Sequence, residues 1–401
     1  MDFGILASIF VVVVVGGMGS IVGAFLAAVL ISELNVFGIL LLPQSTLVTM
    51  FIAMAVVLIF RPWGLLGREE AIGQHGESGP LEPPLRRATA PFKVLGGATV
   101  ALLAALPLWA EDFTLSLAIE MMLMALFAAA LHFVMGPGGI VSFGHAAFFG
   151  GGAYAAALMV NYLDVSMGVG LLAAPLAAGA LALLFGWFCV RLSGVYLAML
   201  TLAFAQVAWS VVFQWGEVTG GDDGMIGIWP ADWASDTRSY YYLCLVLVTL
   251  SLLFIRHAVL SPFGYALRAS RDSRLRSAAI GIWVQRQQWL AFALSGALAG
   301  VAGGLYVYSK GSIFPDEMSI PRSFDALIMV LMGGVQTMAG PVVGGAFFTW
   351  LQDQISRLEY WRLVLGLLIL ALVLLFPQGI VGWLRQRLGH YAGMGYDVES
   401  P

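Results

Sequence analysis

Long apolar runs alternate with short polar interruptions along this chain, and the runs are far longer than the period-two alternation of half-buried strands. Crossing about 30 Å of hydrocarbon as a helix takes roughly 20 apolar residues. Beyond residue 92 such spans are predicted at 94–109, 115–134, 142–160, 169–190, 195–215, 240–255 and 287–308. A broken hydrophobic stretch, 324–351, and a last run, 362–376, follow. The turn spacing of a membrane barrel is absent. The fold class expected is an all-α integral membrane protein, a polytopic helix bundle with a broken, re-entrant hairpin near 324–351.

The pattern also repeats. VVVVVGGMGSIVGAFL, with Gly16, Gly17 and Gly23, returns as LIMVLMGGVQTMAGPVV, with Gly333, Gly334 and Gly340, at an offset of 317 residues. Phe60-Arg61-Pro62-Trp63-Gly64 returns as Phe376-Pro377-Gln378-Gly379, with Pro62 and Pro377 offset by 315. The chain therefore carries two copies of one tail. Between the first copy and the remaining spans, Gly67 to Pro91 is polar, rich in Gly and Pro, and without apolar periodicity, which predicts a disordered linker. Four segments result: a partial transmembrane tail at 1–66, a linker at 67–91, a whole membrane unit at 92–390, and a polar tail at 391–401.

Composition sharpens this without changing it. The chain is 60% hydrophobic and 10% charged, against roughly 25% charged residues in an average soluble domain. A net charge of −4 marks neither a nucleic-acid binder nor a peripheral attachment. Cys189 and Cys244 lie inside apolar runs, the setting of small packed side chains rather than of a disulfide or metal site. The first residues lack a basic n-region and the apolar run continues past any cleavage point, so no cleavable signal peptide is expected.

Charge orients the bundle. Between Phe254 and Trp289 lie Arg256, Arg268, Arg271, Arg274, Arg276 and Arg286, with Asp272 the only acid. By the positive-inside rule this loop, the basic linker and the Arg385/Arg387 tail are cytoplasmic, and the C-terminus with them. The loop 216–239, with Glu217, Asp222, Asp223, Asp232 and Asp236 against Arg238, belongs outside. The count of spans between these anchors closes only if 324–351 enters and returns, turning near Gly333 and Gly334. Broken backbone at that depth must be packed in protein or line a cavity.

Catalytic chemistry is not visible. The two lysines, Lys93 after Phe92 and Lys310 after Ser309, stand outside any G-K-[ST] phosphate loop, and no metal or nucleophile constellation is present. No cofactor is expected on this chain. Ionisable groups within spans are costly and so are candidates for function: Glu33, Glu120, His132, His145 and Asp325. Glu120 suits snorkelling or capping as well as a pathway, His132 suits a packed hydrogen bond, and Asp325 suits a helix cap. GPGGIVSFGH interrupts the apolar pattern and frees backbone groups to meet a polar solute; a plain tight loop is the alternative. Ser142, Gly144 and His145 are its path candidates, as are Gly333 and Gly334 in the hairpin. Thr219, Gly220, Gly221, Asp222, Asp223 and Gly224 form either a solvated loop or a tight acidic turn at the mouth of the path. Gly- and Ala-dense spans serve helix contact first and a path second. In LRASRDSRLRSAAIGI, Arg268, Arg271 and Arg274 recur every third residue and predict one side of a short basic helix. Such a helix lies on anionic lipid or docks into a partner groove, and the small Ala and Ser positions in place of a bulky face favour docking.

Several ordered motifs resemble one family. SFGHAAFFGGGAY at 142–154, RLSGVYLAMLTLAFAQ at 191–206, TGGDDG at 219–224, SPFGYALRASRDS at 261–273 and LMGGVQTMAGPVVG at 331–344 are similar to the LivM-type inner-membrane permease of branched-chain amino acid ABC importers. Residues 1–66 resemble the closing part of the related LivH-type permease. The resemblance implies a permease subunit rather than an enzyme, in the bacterial inner membrane. Its partners would be two ATPase subunits that bind the ATP, a LivH-type permease, a solute-binding protein and the lipid bilayer. It implies that Arg268, Ala269, Arg271, Asp272, Arg274, Ala278, Ala279 and Gly281 form the segment coupled to the ATPase. The family commonly has Asn at His132, Gln at Ile140, Glu at Gln206, and acids at Arg274 and Ala278. An ABC permease for urea, amides or sugars, and a proton-coupled secondary transporter, are the competing expectations.

Overall fold

The computed structural model describes residues 3–41, 46–67, 90–358, 360–376 and 378–384. Helices fill them: α1 (Phe3–Gly16), α2 (Ile21–Leu41), α3 (Thr46–Phe60), α4 (Ala90–Ala105), α5 (Asp112–Met135), α6 (Ala146–Leu163), α7 (Met167–Cys189), α8 (Gly194–Gln214) and α9 (Gly216–Thr219). They continue as α10 (Thr237–Val259), α11 (Pro262–Asp272), α12 (Arg274–Ala279), α13 (Val284–Lys310), α14 (Ile320–Gly333), α15 (Gly340–Ile355) and α16 (Trp361–Leu375). Strand among the described residues is confined to an antiparallel pair, β1 (Met225–Ile226) with β2 (Ser312–Ile313). Seven of these helices, α2, α5, α6, α7, α8, α10 and α13, are long and apolar enough to cross a membrane. The chain is an all-α, multi-pass membrane protein. Most of the linker (68–89), Arg385, Arg387 and the 391–401 tail lie outside the described residues.

Span boundaries move by up to four residues from those expected, as in α10 (240–255 expected), and two of the shifts have a local cause. The first span ends at Ala105, because Pro107 cannot continue an α-helix and turns the chain into a 3₁₀ segment, Leu106–Leu108. The third starts at Ala146 rather than 142, since Ser142 to Gly144 form an irregular approach and His145 is the N-cap.

α13 is the central post, packed on α7, α6 and α5. Small residues bring the backbones together. A Cβ on Gly152 would stand 2.5 Å from Gly300 Cα, and one on Gly296 2.3 Å from the Ala182 Cβ. The Gly- and Ala-dense stretches are thus contact surfaces, as expected where lipid removes the hydrophobic incentive for helices to associate. Two ends can be distinguished by charge. α11, α12 and the start of α13 make a basic end; Glu217, Asp222, Asp223 and the Lys310–Glu120 ion pair (2.7 Å) lie at the other, acidic end.

The hairpin is present. α14 and α15 have 14 and 16 residues, roughly 21 and 24 Å at 1.5 Å per residue, and fold back on one another. They enter from the acidic end and turn over residues 334–339. Gly333 and Gly344 let them touch backbone to backbone, since a Cβ on either would stand within 2.0 Å of a carbonyl oxygen of the facing helix. His132 on α5 holds the turn, its Nε2 lying 2.7 Å from the Val335 carbonyl oxygen. The turn is therefore packed in protein, as broken backbone at depth must be.

Residues 3–67 repeat this shape. α1 matches α14 end for end at an offset of 317, and α3 matches α16 at 315. Gly17 and Gly334 both have positive φ (99° and 110°), as do Gly64 and Gly379 (78° and 75°). In each copy the later glycine closes onto the earlier one: a Cβ on Gly64 would meet Gly17 N at 2.6 Å, and one on Gly379 would meet Gly334 N at 2.3 Å. Pro377 lies outside the described residues. The first copy sits mainly on α8 through α3, where Trp63 meets Tyr196 edge-on at 5.7 Å.

Candidate functional site

The site grows from the break after α5. Gly136 and Pro137 stop that helix, and the chain then runs from Gly138 to His145 before α6 begins. Two freed backbone N–H groups near the start of α6 find side chains from different helices. Phe143 N donates to Thr201 Oγ1 on α8 (3.1 Å), and Ala146 N donates to Ser323 Oγ on α14 (3.1 Å). His145 Nε2 lies 3.3 Å from Ser295 Oγ on α13, with its ring stacked on Phe127 at 5.9 Å. A Cβ on Gly144 would meet the Thr201 carbonyl oxygen at 2.1 Å, so only glycine lets this strand of backbone reach α8. Ser142 and His145 are fully buried, and Ser142 Oγ and His145 Nδ1 meet no hydrogen-bond partner among the described residues. Buried polar atoms without a partner are uncommon in native proteins, and here two of them lie at the same helix break.

The basic end clamps this seam from below. Arg271 Nη1 donates to the Gly136 carbonyl oxygen (2.8 Å), and its stem covers Gly139, where a Cβ would stand 2.4 Å from Arg271 Cγ. Arg274 Nη2 donates to the Leu192 carbonyl oxygen (3.3 Å), just before α8, and to Gln288 Oε1 on α13 (3.0 Å). Burial lowers the Arg274 pKa, yet a guanidinium stays charged. A cavity of about 370 Å³ lies between these parts, lined by Gly139, Ile140, Ser193, Ala198, Arg271 and Arg274 among others. One basic element thus touches the α5 break, the α8 entry and the foot of α13.

Residues 113–373 match the family model described as the permease component of the branched-chain amino acid transport system. The chain belongs to this family. It is 27% identical over 368 residues to the high-affinity branched-chain amino acid transport system permease protein LivM of Escherichia coli (strain K12), covering 84% of this chain and 86% of that one. The corresponding LivM of Salmonella typhimurium is 26% identical, with 80% and 83% covered. A probable LivH permease of Methanocaldococcus jannaschii is 28% identical over 159 residues, covering 36% of this chain and 47% of that protein. No solved structure matches.

Within this family member the basic helix differs from its sequence reading in two ways. Arg268, Arg271 and Arg274 do not share one helix face, because the backbone is extended at Ser273, whose Oγ accepts from Arg276 N and caps a new helix, α12. Arg271 and Arg274 accordingly turn inward onto the permease, while Asp272 pairs with Arg271 (3.1 Å) at the rim. Nor is a bulky face missing. Leu275, Ile280 and Trp283 are 72–75% exposed around Ala278, Ala279 and Gly281, so the tip is an apolar knob with Arg276 beside it. Residue spacing hid this, because α12 is only six residues long and, of the three, Ile280 and Trp283 lie beyond its end. Arg268 and Ala269 lie half-buried on α11.

At the acidic end Thr219 Oγ1 donates to the Trp215 carbonyl oxygen (2.9 Å), and Gly220, Gly221 and Gly224 take positive φ. A tight acidic turn results, with Asp222 and Asp223 exposed. It is pinned to the end of α13 through the β1–β2 pair. Sequence reasoning missed Thr201, Ser295 and Ser323 as partners of the break, since isolated hydroxyls in apolar runs look like packing. It also missed the Arg322–Glu317 ion pair (2.8 Å) at the hairpin entry, whose signal was an arginine at the start of a re-entrant run.

Proposed function

We propose that this chain is one transmembrane subunit of an ATP-driven importer for branched-chain amino acids in the inner membrane, with the basic end and the C-terminus in the cytoplasm. The observation that carries the reading is the arginine clamp: one short, basic, apolar-tipped element at the end of the bundle holds both the α5 break and the entry to α8. The knob of Leu275, Ile280 and Trp283 seats in a groove of an ATPase subunit. Two such subunits bind and hydrolyse the ATP for which this chain has no phosphate loop. Closure of the ATPase pair moves α11 and α12 as a lever, and Arg271 and Arg274 hand that motion to the loop 136–145 and to α8. Alternating access then follows from a shift between two helix arrangements, each favoured by one nucleotide state.

The path runs past the seam at Ser142, Gly144 and His145, where unpaired polar atoms meet the zwitterionic end of the solute once the helices part. A solute-binding protein delivers that solute at the acidic end, over the 219–224 turn. A LivH-type permease completes the pore. Of the three groups a proton-coupled transporter would use, Glu120 is paired with Lys310 and His145 is sealed from solvent, which leaves Asp325 at the hairpin entry for the uptake test to judge. In vesicles holding the whole system, uptake of labelled leucine should require ATP, stop with vanadate and survive collapse of the proton gradient. The opposite pattern would reject the reading, and uptake confined to urea or a sugar would move it to another solute class.

The knob has its own test. Ile280→Glu and Trp283→Glu are expected to weaken co-purification of the ATPase by on the order of tenfold or more, as loss of an apolar anchor at an interface does. Insertion in the membrane should be unchanged. Equal ATPase recovery from both variants would remove the knob from the docking surface.

A further inference from the structure

The two copies of the three-helix tail have different neighbours, and the difference maps a missing subunit. α3 packs on α1, α2 and α8; α16 packs on α14 and α15. Matched at the 315 offset, Val48, Phe51 and Ala55 of α3 are buried (7%, 3% and 7%), whereas Leu363 and Leu370 of α16 are 61% and 56% exposed. Between those two, Gly366 faces open space. The face that α8 covers in the first copy is bare in the second. The reverse holds on the middle helix. α15 lies on α5, where a Cβ on Gly345 would stand 2.7 Å from Ala125 Cα and Thr349 is buried. Its counterpart α2 has Ser32, at the Thr349 position, exposed together with Phe25 and Val29.

We infer that a second permease subunit of LivH type, whose closing three-helix tail is the one carried here by residues 3–67, seats its α8 counterpart on the Leu363–Gly366–Leu370 face of α16 and its α5 counterpart on the open face of α2. Each tail then has the full set of neighbours that the two copies show only in halves. The seat is drawn by this chain itself, in the α3–α8 contact with Tyr196 between Met18 and Trp63: Met18 N lies 3.4 Å from Tyr196 Oη, which lies 3.5 Å from the Trp63 carbonyl oxygen. A second copy of this chain does not fit, because its α8 is already covered by its own α3 and its α5 by its own α15. Both bodies are related by an approximate two-fold axis with exchanged tails, a self-complementary arrangement. Gly366 at the centre of the face permits the close helix approach on which association in lipid depends.

This inference rests on the paired-permease reading above, and the test separates the two. A photoreactive benzoylphenylalanine is placed at Leu363, Leu370 or Val29 of the full chain, co-expressed with the LivH-type permease, ATPases and binding protein of its own genome. Cross-linked peptides are then identified by mass spectrometry. Adducts from 363 and 370 are expected on the sister helix that aligns with 194–214, and from 29 on the one that aligns with 112–135. A probe at Leu176, exposed on α7 away from both faces, should label lipid only. Leu370→Glu should abolish co-purification of the sister permease. Adducts to lipid alone at 363 and 370, or to another copy of this chain, overturn the inference. If ATP-driven leucine uptake persists in those same cells, the interface fails and the importer reading stands; absence of such uptake in the unsubstituted system sinks that reading, and the cross-linked peptides still judge the interface.

Discussion

Arg271→Ala is expected to cut leucine uptake by roughly ten- to a hundredfold while leaving the permease inserted and its ATPase partners bound. The size follows from the bond removed: a charged donor to a backbone carbonyl contributes about 1.5–3 kcal/mol, and about 1.4 kcal/mol is a factor of ten in rate. The Arg271 Nη1 to Gly136 O contact, at 2.8 Å, joins the basic lever to the α5 break. Its loss leaves the lever held by Arg274 to Leu192 and Gln288 and by packing such as Phe263 on Phe133, so α8 is still driven while the one polar bond from the lever to the backbone of the break is gone. ATP hydrolysis by the assembled complex should therefore continue while transport falls. Arg271→Lys should recover only part of the uptake, since a lysine keeps the charge but not the fork that reaches Gly136 and Asp272 together. Uptake and hydrolysis measured on the same proteoliposomes decide the matter. If both fall in parallel with ATPase association, Arg271 belongs to the docking surface; if neither falls, it has no part in coupling.

Gly303→Val should cost most of the folded protein. At this position a Cβ would stand 1.9 Å from the Phe149 carbonyl oxygen and 2.8 Å from its carbon, both backbone atoms of α6. Nothing flexible can yield, so α6 and α13 must separate, and that contact is one of the largest in the bundle. Overpacking of this kind costs about 3 kcal/mol or more, a large part of a total stability of roughly 5–15 kcal/mol. Monodisperse protein recovered in detergent should fall to a small remnant, with a lower melting temperature for what survives. Gly168→Ala is the control: a Cβ there meets nothing within 4 Å, and recovery should match the parent. Equal melting of Gly303→Val and the parent would mean that α6 and α13 are not packed as described.

Both experiments depend on features of very different legibility. Gly303 stands in a run, Ala297 to Gly304, whose small residues announced close packing. The partner of that run was not announced. Arg271 was conspicuous as part of a basic island, yet its direction was misjudged, because a three-residue spacing was extended through Ser273 as if one helix continued. A serine that caps a new helix is a local signal, and here it was available: Ser273 stands three residues before Arg276, whose N–H it accepts. The exposed Leu275, Ile280 and Trp283 were legible as residues but not as a surface, since their exposure follows from the short α12 and the turn at Gly281, with φ of 88°. Ser295 and Ser323 carried no signal. A hydroxyl in an apolar helix bonds its own backbone or a neighbour equally well, and only the approach of the break at Phe143 to Ala146 selects the neighbour.

By itself the sequence determined the spans, the re-entrant hairpin, the internal repeat and the basic and acidic ends. These are one-dimensional quantities: twenty apolar residues must cross, broken backbone must be buried in protein, and clustered charge must stay at an end. Tertiary structure alone decided which face of each helix meets protein and which meets lipid. α5 and α7 are apolar all round, so no polar stripe marks their outer side, and lipid offers no hydrophobic incentive to choose one face over another. That choice is made by shape, glycine against backbone at Gly152, Gly300 and Gly303, and it is why the bare face of α16 becomes visible only beside the covered face of α3.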